Sequence, residues 1–327
     1  MRAAVITRPG GPDVLEIRDV DRPSLAADGV LVRVRASAIN RADLMQRRGA
    51  YPAPPGSPRD IPGIEYAGEV VEVGATVTDL RSGDRVFGIA GGGAHAELIA
   101  VPASTAARIP GALSWTDAGA IPEAYITAHD AMVTQGGLGR DMRVLIHAVG
   151  SGVGLAAVQI ARAVGAIPYG TSRTADKIER AAAFGLEHGA TVRDASDLGA
   201  AVRDWAPAGF DVVLDLVGGA YTPASIDVLA MRGRLMLVGL VAGATASVDL
   251  RRILSRRIAV IGTMLRGRSV DEKAAATRAF MHDLARGFET GALRAVVDQV
   301  FTLDGLADAH RRVESNETFG KVVVVVP

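Results

Sequence analysis

The stretch Arg143-Val144-Leu145-Ile146-His147-Ala148-Val149-Gly150-Ser151-Gly152-Val153-Gly154 decides how this chain is read. Its first half is a short apolar run of the kind that forms a strand buried on both faces. Its second half sets glycines at alternate positions, and an Ala-rich helix is predicted over 154–165. A strand that runs through glycines into a helix turns backbone N–H groups and the helix N-terminus toward an anion, and missing Cβ atoms let a pyrophosphate come close. The spacing departs from G-x-G-x-x-G, because Ser151 stands where the close-approach glycine would be. Its hydroxyl is suited to donate to a phosphate or to a nicotinamide amide. A tight structural turn is one alternative. A hydrolase nucleophile elbow is another, but that motif wants small residues two places either side of the serine, where Val149 and Val153 stand.

The surroundings favour the nucleotide reading. A helix is predicted over 124–135, strands over 144–147 and 166–169, and a helix over 175–184. A strand over 212–215, a helix near 223–229 and strands over 235–238 and 259–262 complete the series. Strands alternating with helices imply an α/β fold with a doubly wound parallel sheet. The first third reads differently. Short strands over 3–6, 30–34 and 69–73 are separated by Gly and Pro, and 38–46 is helix-compatible. Tyr51-Pro52-Ala53-Pro54-Pro55-Gly56-Ser57-Pro58 is a stiff extended loop, either a cover for a site or a surface connector. A helix over 271–290 and a strand over 321–326 fit no further β-α unit and are expected to return to the first domain. The expected division is 1–122, 123–264 and 265–327.

Composition bounds the function. A length of 327 residues suits two domains, and 49% hydrophobic with 22% charged residues describes a well-packed globular chain. Thirty-six basic residues balance thirty-six acidic ones, so no global field favours nucleic acid or anionic membrane. Aromatics at 4% argue against base-stacking platforms. The absence of cysteine excludes disulfides, thiolate nucleophiles, Fe–S clusters and sulfur-ligated zinc, while six histidines leave other metal sites open. The N-terminal apolar run is too short for a signal-peptide core. The apolar stretch 144–161 is broken by Gly150, Gly152 and Gly154, which fits a strand, turn and buried helix better than a membrane span. The protein is expected in the cytoplasm.

The end of the second strand of the series selects the coenzyme. An Asp or Glu there would hold a ribose diol and repel a 2′-phosphate. Instead the chain has Gly170-Thr171-Ser172-Arg173-Thr174, with Lys177 one short turn on. Hydroxyls and two cations suit a dianionic phosphate, with a solvated helix start as the alternative and Asp176 as a complication. NADPH is the expected coenzyme.

The segment Asn40-Arg41-Ala42-Asp43-Leu44-Met45-Gln46, the loop at Tyr51, Gly63-Ile64-Glu65-Tyr66-Ala67-Gly68, Gly83-Asp84-Arg85-Val86, Ile121-Pro122-Glu123-Ala124 and the Ser151 turn occur together. Together they resemble the zinc-free medium-chain dehydrogenase/reductases over nearly the whole chain. The likeness is strongest to the zeta-crystallin-like NADPH:quinone oxidoreductases, particularly the tumour-suppressor-inducible branch. The resemblance implies a Rossmann domain joined to a mainly β, GroES-like catalytic domain. It also implies reduction of a quinone by hydride transfer and a homodimer paired through the strand near 259–263. Zinc-dependent relatives carry Cys where Asn40 stands and His where Ile64 stands, so no metal ligand set is expected.

Residue by residue, the resemblance implies Asn40 as an amide donor, Asp43 as an orienting partner, and Gln46 and Tyr51 as further polar groups at the acceptor, with Thr127 beside the nicotinamide. Coenzyme contacts are expected from Thr127, Gly150, Ser151, Gly152, Val153, Gly154, Ser172, Arg173, Lys177, Gly239, Leu265 and Lys321. Caps, loop anchors and surface charges remain the alternatives for Asn40, Tyr51 and Asp43. An enone reductase on the same scaffold and a non-catalytic NADPH binder are the rival functions. His147 is expected to meet a backbone carbonyl, His95 to sit in a turn, and Arg251-Arg252 with Arg256-Arg257 to form a solvated helix end.

Overall fold

Short β-branched runs between Gly and Pro open the chain, and in the computed structural model, which describes residues 1–111 and 113–327, they are strands. β1 (Arg2–Ile6) and β2 (Leu15–Asp19) pair as an antiparallel ribbon. β3 (Gly29–Ala38), β4 (Glu65–Val73), β5 (Arg85–Ile89), β6 (Leu98–Pro102) and β7 (Ala106–Arg108) follow. Three short helices punctuate them, α1 (Arg41–Arg47), α2 (Trp115–Gly119) and α3 (Pro122–His129). The chain divides into two units, Met1–Ile126 with Leu265–Pro327, and Thr127–Met264.

The second unit is the predicted α/β alternation. Its elements are β8 (Arg143–Ile146), α4 (Gly152–Ala163), β9 (Ile167–Ser172), α5 (Ala175–Ala182), β10 (His188–Thr191), α6 (Leu198–Val202) and β11 (Phe210–Asp215). Then come α7 (Tyr221–Val228), β12 (Leu229–Leu237), α8 (Leu250–Arg256) and β13 (Ala259–Gly262). All six strands run parallel in the order β10-β9-β8-β11-β12-β13. The core packs Leu145, Tyr169, Phe210, Val213 and Leu235. Helix α4 is buried continuously from Gly154 to Ala161, which accounts for its apolar sequence without any membrane. Among the described residues no helix is long and apolar enough to cross a membrane.

After Met264 the chain re-enters the first unit through α9 (Val270–Glu289), β14 (Val297–Thr302), α10 (Leu306–Glu314) and β15 (Lys321–Val325). The sheet order there is β14-β15-β3-β4-β5-β7, with β6 also on β3. Val322, Val323 and Val324 of β15 are buried, as are Val30, Val32 and Val34 of β3. Burying each such side chain stabilises by about 1.5–3 kcal/mol.

The helix predicted over 124–135 is two elements: α3 gives way to a π-helical stretch, Asp130–Gln135. The Arg251–Arg257 cluster is not merely solvated. Arg256 donates to the carbonyls of Ile226, Asp227 and Leu229, so it ties α8 to the end of α7.

Candidate active site

The six-stranded sheet reverses its winding between β8 and β11, and in such sheets the carboxyl ends of those strands flank the ligand crevice. β8 leads into Ala148, which holds a left-handed φ of 50°. Ser151 N then donates to Ala148 O at 2.9 Å, closing a tight turn. Ser151 is the N-cap of α4, its Oγ accepting from Gly154 N at 3.0 Å, which leaves the hydroxyl proton as a donor. A Cβ at Gly154 would lie 2.6 Å from Ala148 O, so only glycine lets the helix start this close to the strand. A Cβ on Gly150 would lie 2.9 Å from Lys177 Cδ, so the Lys177 stem lies across the turn. Gly152 and Val153, the first residues of α4, are half-buried. Turn, cap and helix dipole together fit a dinucleotide pyrophosphate.

Beside this turn, Ser172 is buried at the end of β9, and Arg173 is exposed. Lys177 follows in the first turn of α5, half-buried. Asp176 is fully exposed, and a hydrogen bond from Thr174 lowers its pKa. Val192 is buried, its carbonyl accepting from Tyr221 Oη at 3.1 Å, and the Arg173 charge acts on Tyr221. At the end of β11, buried Asp215 accepts from Val217 N and Gly218 N at 2.8 Å each and from Thr222 Oγ1 at 3.1 Å. Gly239, just past β12, would place a Cβ 2.4 Å from Leu216 O, so the two loops pass backbone to backbone. Thr127 is half-buried on α3.

His147 does not meet a backbone carbonyl. Its Nδ1 pairs with Thr171 Oγ1 at 2.8 Å and its Nε2 with Ser225 Oγ at 2.9 Å, because the ring is sunk between β9 and α7. Burial pushes its pKa down to about 4, against the pull of Asp215, and the imidazole stays neutral. His95 sits at a bend, as expected, but not at the surface. It is fully buried, with Nδ1 2.7 Å from Ser37 Oγ, and burial pushes it down to about 3.

The first unit gathers Asn40, Asp43, Gln46 and Tyr51 around two cations. Asn40 caps α1 and Asp43 closes the capping box, with Asp43 Oδ2 accepting from Asn40 N at 2.7 Å and Oδ1 from Gly63 N at 2.9 Å. Asp43 is therefore a buried backbone clamp and not a surface charge. Burial raises its pKa, opposed by those two N–H groups and by Arg266 and Lys321.

The donor role expected of Asn40 is occupied internally. Its Nδ2 donates to Ala38 O at 3.2 Å and to Glu65 Oε1 at 2.8 Å, while Oδ1 accepts from Lys321 Nζ at 2.6 Å. Lys321, expected at the coenzyme, belongs to this network. Its ammonium also meets Glu65 Oε1 at 2.7 Å and Ile39 O at 3.3 Å, so its three donors are engaged within the first unit. Leu265 is buried in the same unit.

Arg266 lies in Leu265-Arg266-Gly267-Arg268, a segment that the family resemblance places beside the nicotinamide, but its anchoring role was not foreseen. It is buried, donating from Nε to Gly91 O at 2.8 Å, from Nη1 to Tyr51 O at 3.2 Å, and from Nη2 to Gln46 Oε1. Gln46 Nε2 in turn donates to Arg59 O at 3.0 Å. The guanidinium carbon lies 5.0 Å from the Tyr51 ring centroid. Arg266 thus pins the proline-rich loop and presents the Tyr51 phenol, whose pKa is raised by burial and by Glu123 and lowered by Arg266. The only sequence signal was a lone Arg-Gly-Arg after the last sheet strand, which does not reveal burial.

Residues 26–111 match the alcohol dehydrogenase GroES-like domain, and residues 152–280 match the zinc-binding dehydrogenase domain. The synaptic vesicle membrane protein VAT-1 homolog of Rattus norvegicus is 31% identical over 343 residues, covering 99% of this chain and 84% of that protein. Polyketide synthase GfsB of Streptomyces halstedii is 36% identical over 303 residues, covering 91% of this chain; the chain spans 5% of that synthase. The crystal structure of the Escherichia coli quinone oxidoreductase complexed with NADPH superposes with a TM-score of 0.89 at 28% identity, covering 99% of this chain and 100% of that one.

The residues of this chain do not fit the zinc that one domain name implies. Glu65 is ion-paired to Lys321, Asn40 is saturated, and among the described residues no group of three His, Asp or Glu side chains is placed to hold a metal. With both domain types matched and the VAT-1 homolog of Rattus norvegicus 31% identical over 99% of this chain and 84% of its own length, the chain belongs to the medium-chain dehydrogenase/reductase family and is similar to its quinone oxidoreductases.

Proposed function

We propose that this protein is an NADPH-dependent oxidoreductase that reduces quinones without a metal. The observation that carries the reading is the Ser151-capped turn, with the Lys177 stem across Gly150 and Arg173 at the adjoining strand end. Bound NADPH supplies a hydride to an electrophilic acceptor. The N-terminus of α4 and the Ser151 hydroxyl hold the pyrophosphate, and Ser172, Arg173 and Lys177 hold the 2′-phosphate. Gly150, Gly152, Val153, Gly154 and Gly239 line the coenzyme's path, and Thr127 orients the nicotinamide. On the first unit, Arg266 fixes the Tyr51 loop, and the protonated phenol donates a hydrogen bond to the oxyanion that develops on the acceptor. Asn40, Asp43, Gln46 and Lys321 act by holding this arrangement rigid.

The raised pKa of Tyr51 favours a second reading, in which the phenol protonates the α-carbon of an enone. Stopped-flow oxidation of NADPH by 1,2-naphthoquinone and by a simple enone separates the two. We expect the quinone to react at least about tenfold faster, a difference of about 1.4 kcal/mol in barrier. A faster enone would select the second reading. NADPH binding with no turnover of either acceptor would leave a non-catalytic binder.

We also propose a homodimer paired through β13. This strand ends the six-stranded sheet, and Val260 and Met264 beside its free edge are 43% and 57% exposed. Light scattering should give twice the chain mass; a monomer at micromolar concentration would refute the pairing.

A further inference from the structure

Three carboxyls of the first unit, those of Asp43, Glu65 and Glu123, share their surroundings with three cations, Arg266, Lys273 and Lys321. Hydrogen-bond donors are divided among them unevenly. Asp43 accepts two backbone N–H groups. Glu65, fully buried, accepts from Lys321, from Asn40 and, through Oε2, from Glu123 N at 2.9 Å. The Glu123 carboxyl, half-buried at the start of α3, accepts no hydrogen bond from any described residue. When clustered carboxyls compete, the proton goes to the one with the fewest donors. In agreement, burial and the charges of Glu65 and Asp43 push Glu123 up to about 8, against Lys321 and Arg266. The same carboxyl acts electrostatically on Tyr51, on Arg266 and on Lys273.

We propose that Glu123 is the proton store of the reaction, a carboxylic acid that reprotonates the Tyr51 phenol after Tyr51 has given its proton to the acceptor oxygen. This rests on the reductase reading above. In the quinone case the C4–H bond of NADPH breaks with its electron pair, leaving NADP⁺, and a new bond to that hydrogen forms on the quinone. The oxygen left negative takes the phenol proton, the phenolate takes the Glu123 proton, and water reprotonates the carboxylate. Glu123 acts through Tyr51 and is a positioning and relay residue.

The titratable and charged groups whose fields couple to Glu123 are Asp43 from α1, Tyr51 from its loop, Glu65 from β4, Arg266 from the segment before α9, Lys273 from α9 and Lys321 from β15. Burial lowers Lys273 and Arg266 and raises Asp43, so their titrations also move toward that range.

The test follows kcat for 1,2-naphthoquinone from pH 6 to 10 in the wild type, Glu123→Gln, Glu123→Asp and Lys273→Met. Infrared titration of the protonated carboxyl band in the coenzyme-free protein runs alongside. Wild type should lose activity above about pH 8. Glu123→Gln should turn over roughly tenfold more slowly at pH 7 and lose that break, with NADPH affinity unchanged. Glu123→Asp should recover part of the rate with a shifted break, and Lys273→Met should keep the wild-type break. The infrared band should titrate near pH 8 and be missing from Glu123→Gln. An unaltered rate and break in Glu123→Gln, or a break abolished by Lys273→Met, overturns the relay while leaving the reductase reading intact. A wild type that turns over neither quinone nor enone overturns the reductase reading, and the relay with it, even where the infrared band still reports a protonated carboxyl.

Discussion

Replacing Lys321 by Met should destabilise the protein by about 3–5 kcal/mol, the usual consequence of stripping one partner from a buried ion pair. Glu65 has 0% of its surface exposed and Lys321 5%, so the carboxylate left behind has no water to turn to. Its remaining donors, Asn40 Nδ2 and Glu123 N, are neutral. Asn40 itself loses the ammonium on its Oδ1, and the capping box of α1 loosens with it. Thermal unfolding followed by circular dichroism should show a midpoint lower by roughly 6–20 °C. Adding Glu65→Gln to Lys321→Met should recover much of the loss, because a neutral amide is cheaper to bury than a lone carboxylate. The folded Lys321→Met protein should bind NADPH within about threefold of wild type. A coenzyme defect without a stability defect would return Lys321 to the ligand set and discard the structural role.

A second large effect is expected from Arg173→Ala with Lys177→Ala. Hydrogen bonds to a charged group contribute about 1.5–3 kcal/mol each, less where water screens them, as at exposed Arg173. The double variant should weaken NADPH by about 100-fold, near 2.7 kcal/mol, and NADH by less than about threefold. Calorimetry with both coenzymes measures the ratio directly. The difference should shrink as salt rises, since much of it is Coulombic. Equal losses for the two coenzymes would place these cations elsewhere than at the 2′-phosphate.

Much of the fold was legible because its strongest signals are local. β8, the glycine turn and α4 follow one another in a single apolar stretch broken only by the turn's glycines and a few polar residues, and the strands that follow are short buried runs. β10, His188-Gly189-Ala190-Thr191, carries no such signal: it is an edge strand of four small or polar residues, none of them fully buried. α8 buries none of its residues, so its basic side chains resembled a solvated surface until Arg256 met the carbonyls at the end of α7. The change from α3 to a π-helical stretch is not marked by any Gly or Pro at the junction, His129-Asp130.

The candidate site divided in the same way. Ser151 and its glycines declare themselves within a few residues. The network of Glu65, Asn40 and Lys321 is assembled by pairing β15 with β3, which only the tertiary fold brings about. Arg266 and Glu123 owe their importance to burial and to neighbours from distant segments, and no spacing rule announces either.

The division of the chain also orders events at the ribosome. Every residue of the Thr127–Met264 unit is translated before Leu265, so that unit has its whole sheet available while the chain is still being made. The other unit lacks its β15 strand until residues 321–325 emerge. Until then the growing polypeptide holds an exposed β3 edge and a Glu65 without its counter-charge, a state open to chaperones and prone to mispairing with other nascent chains.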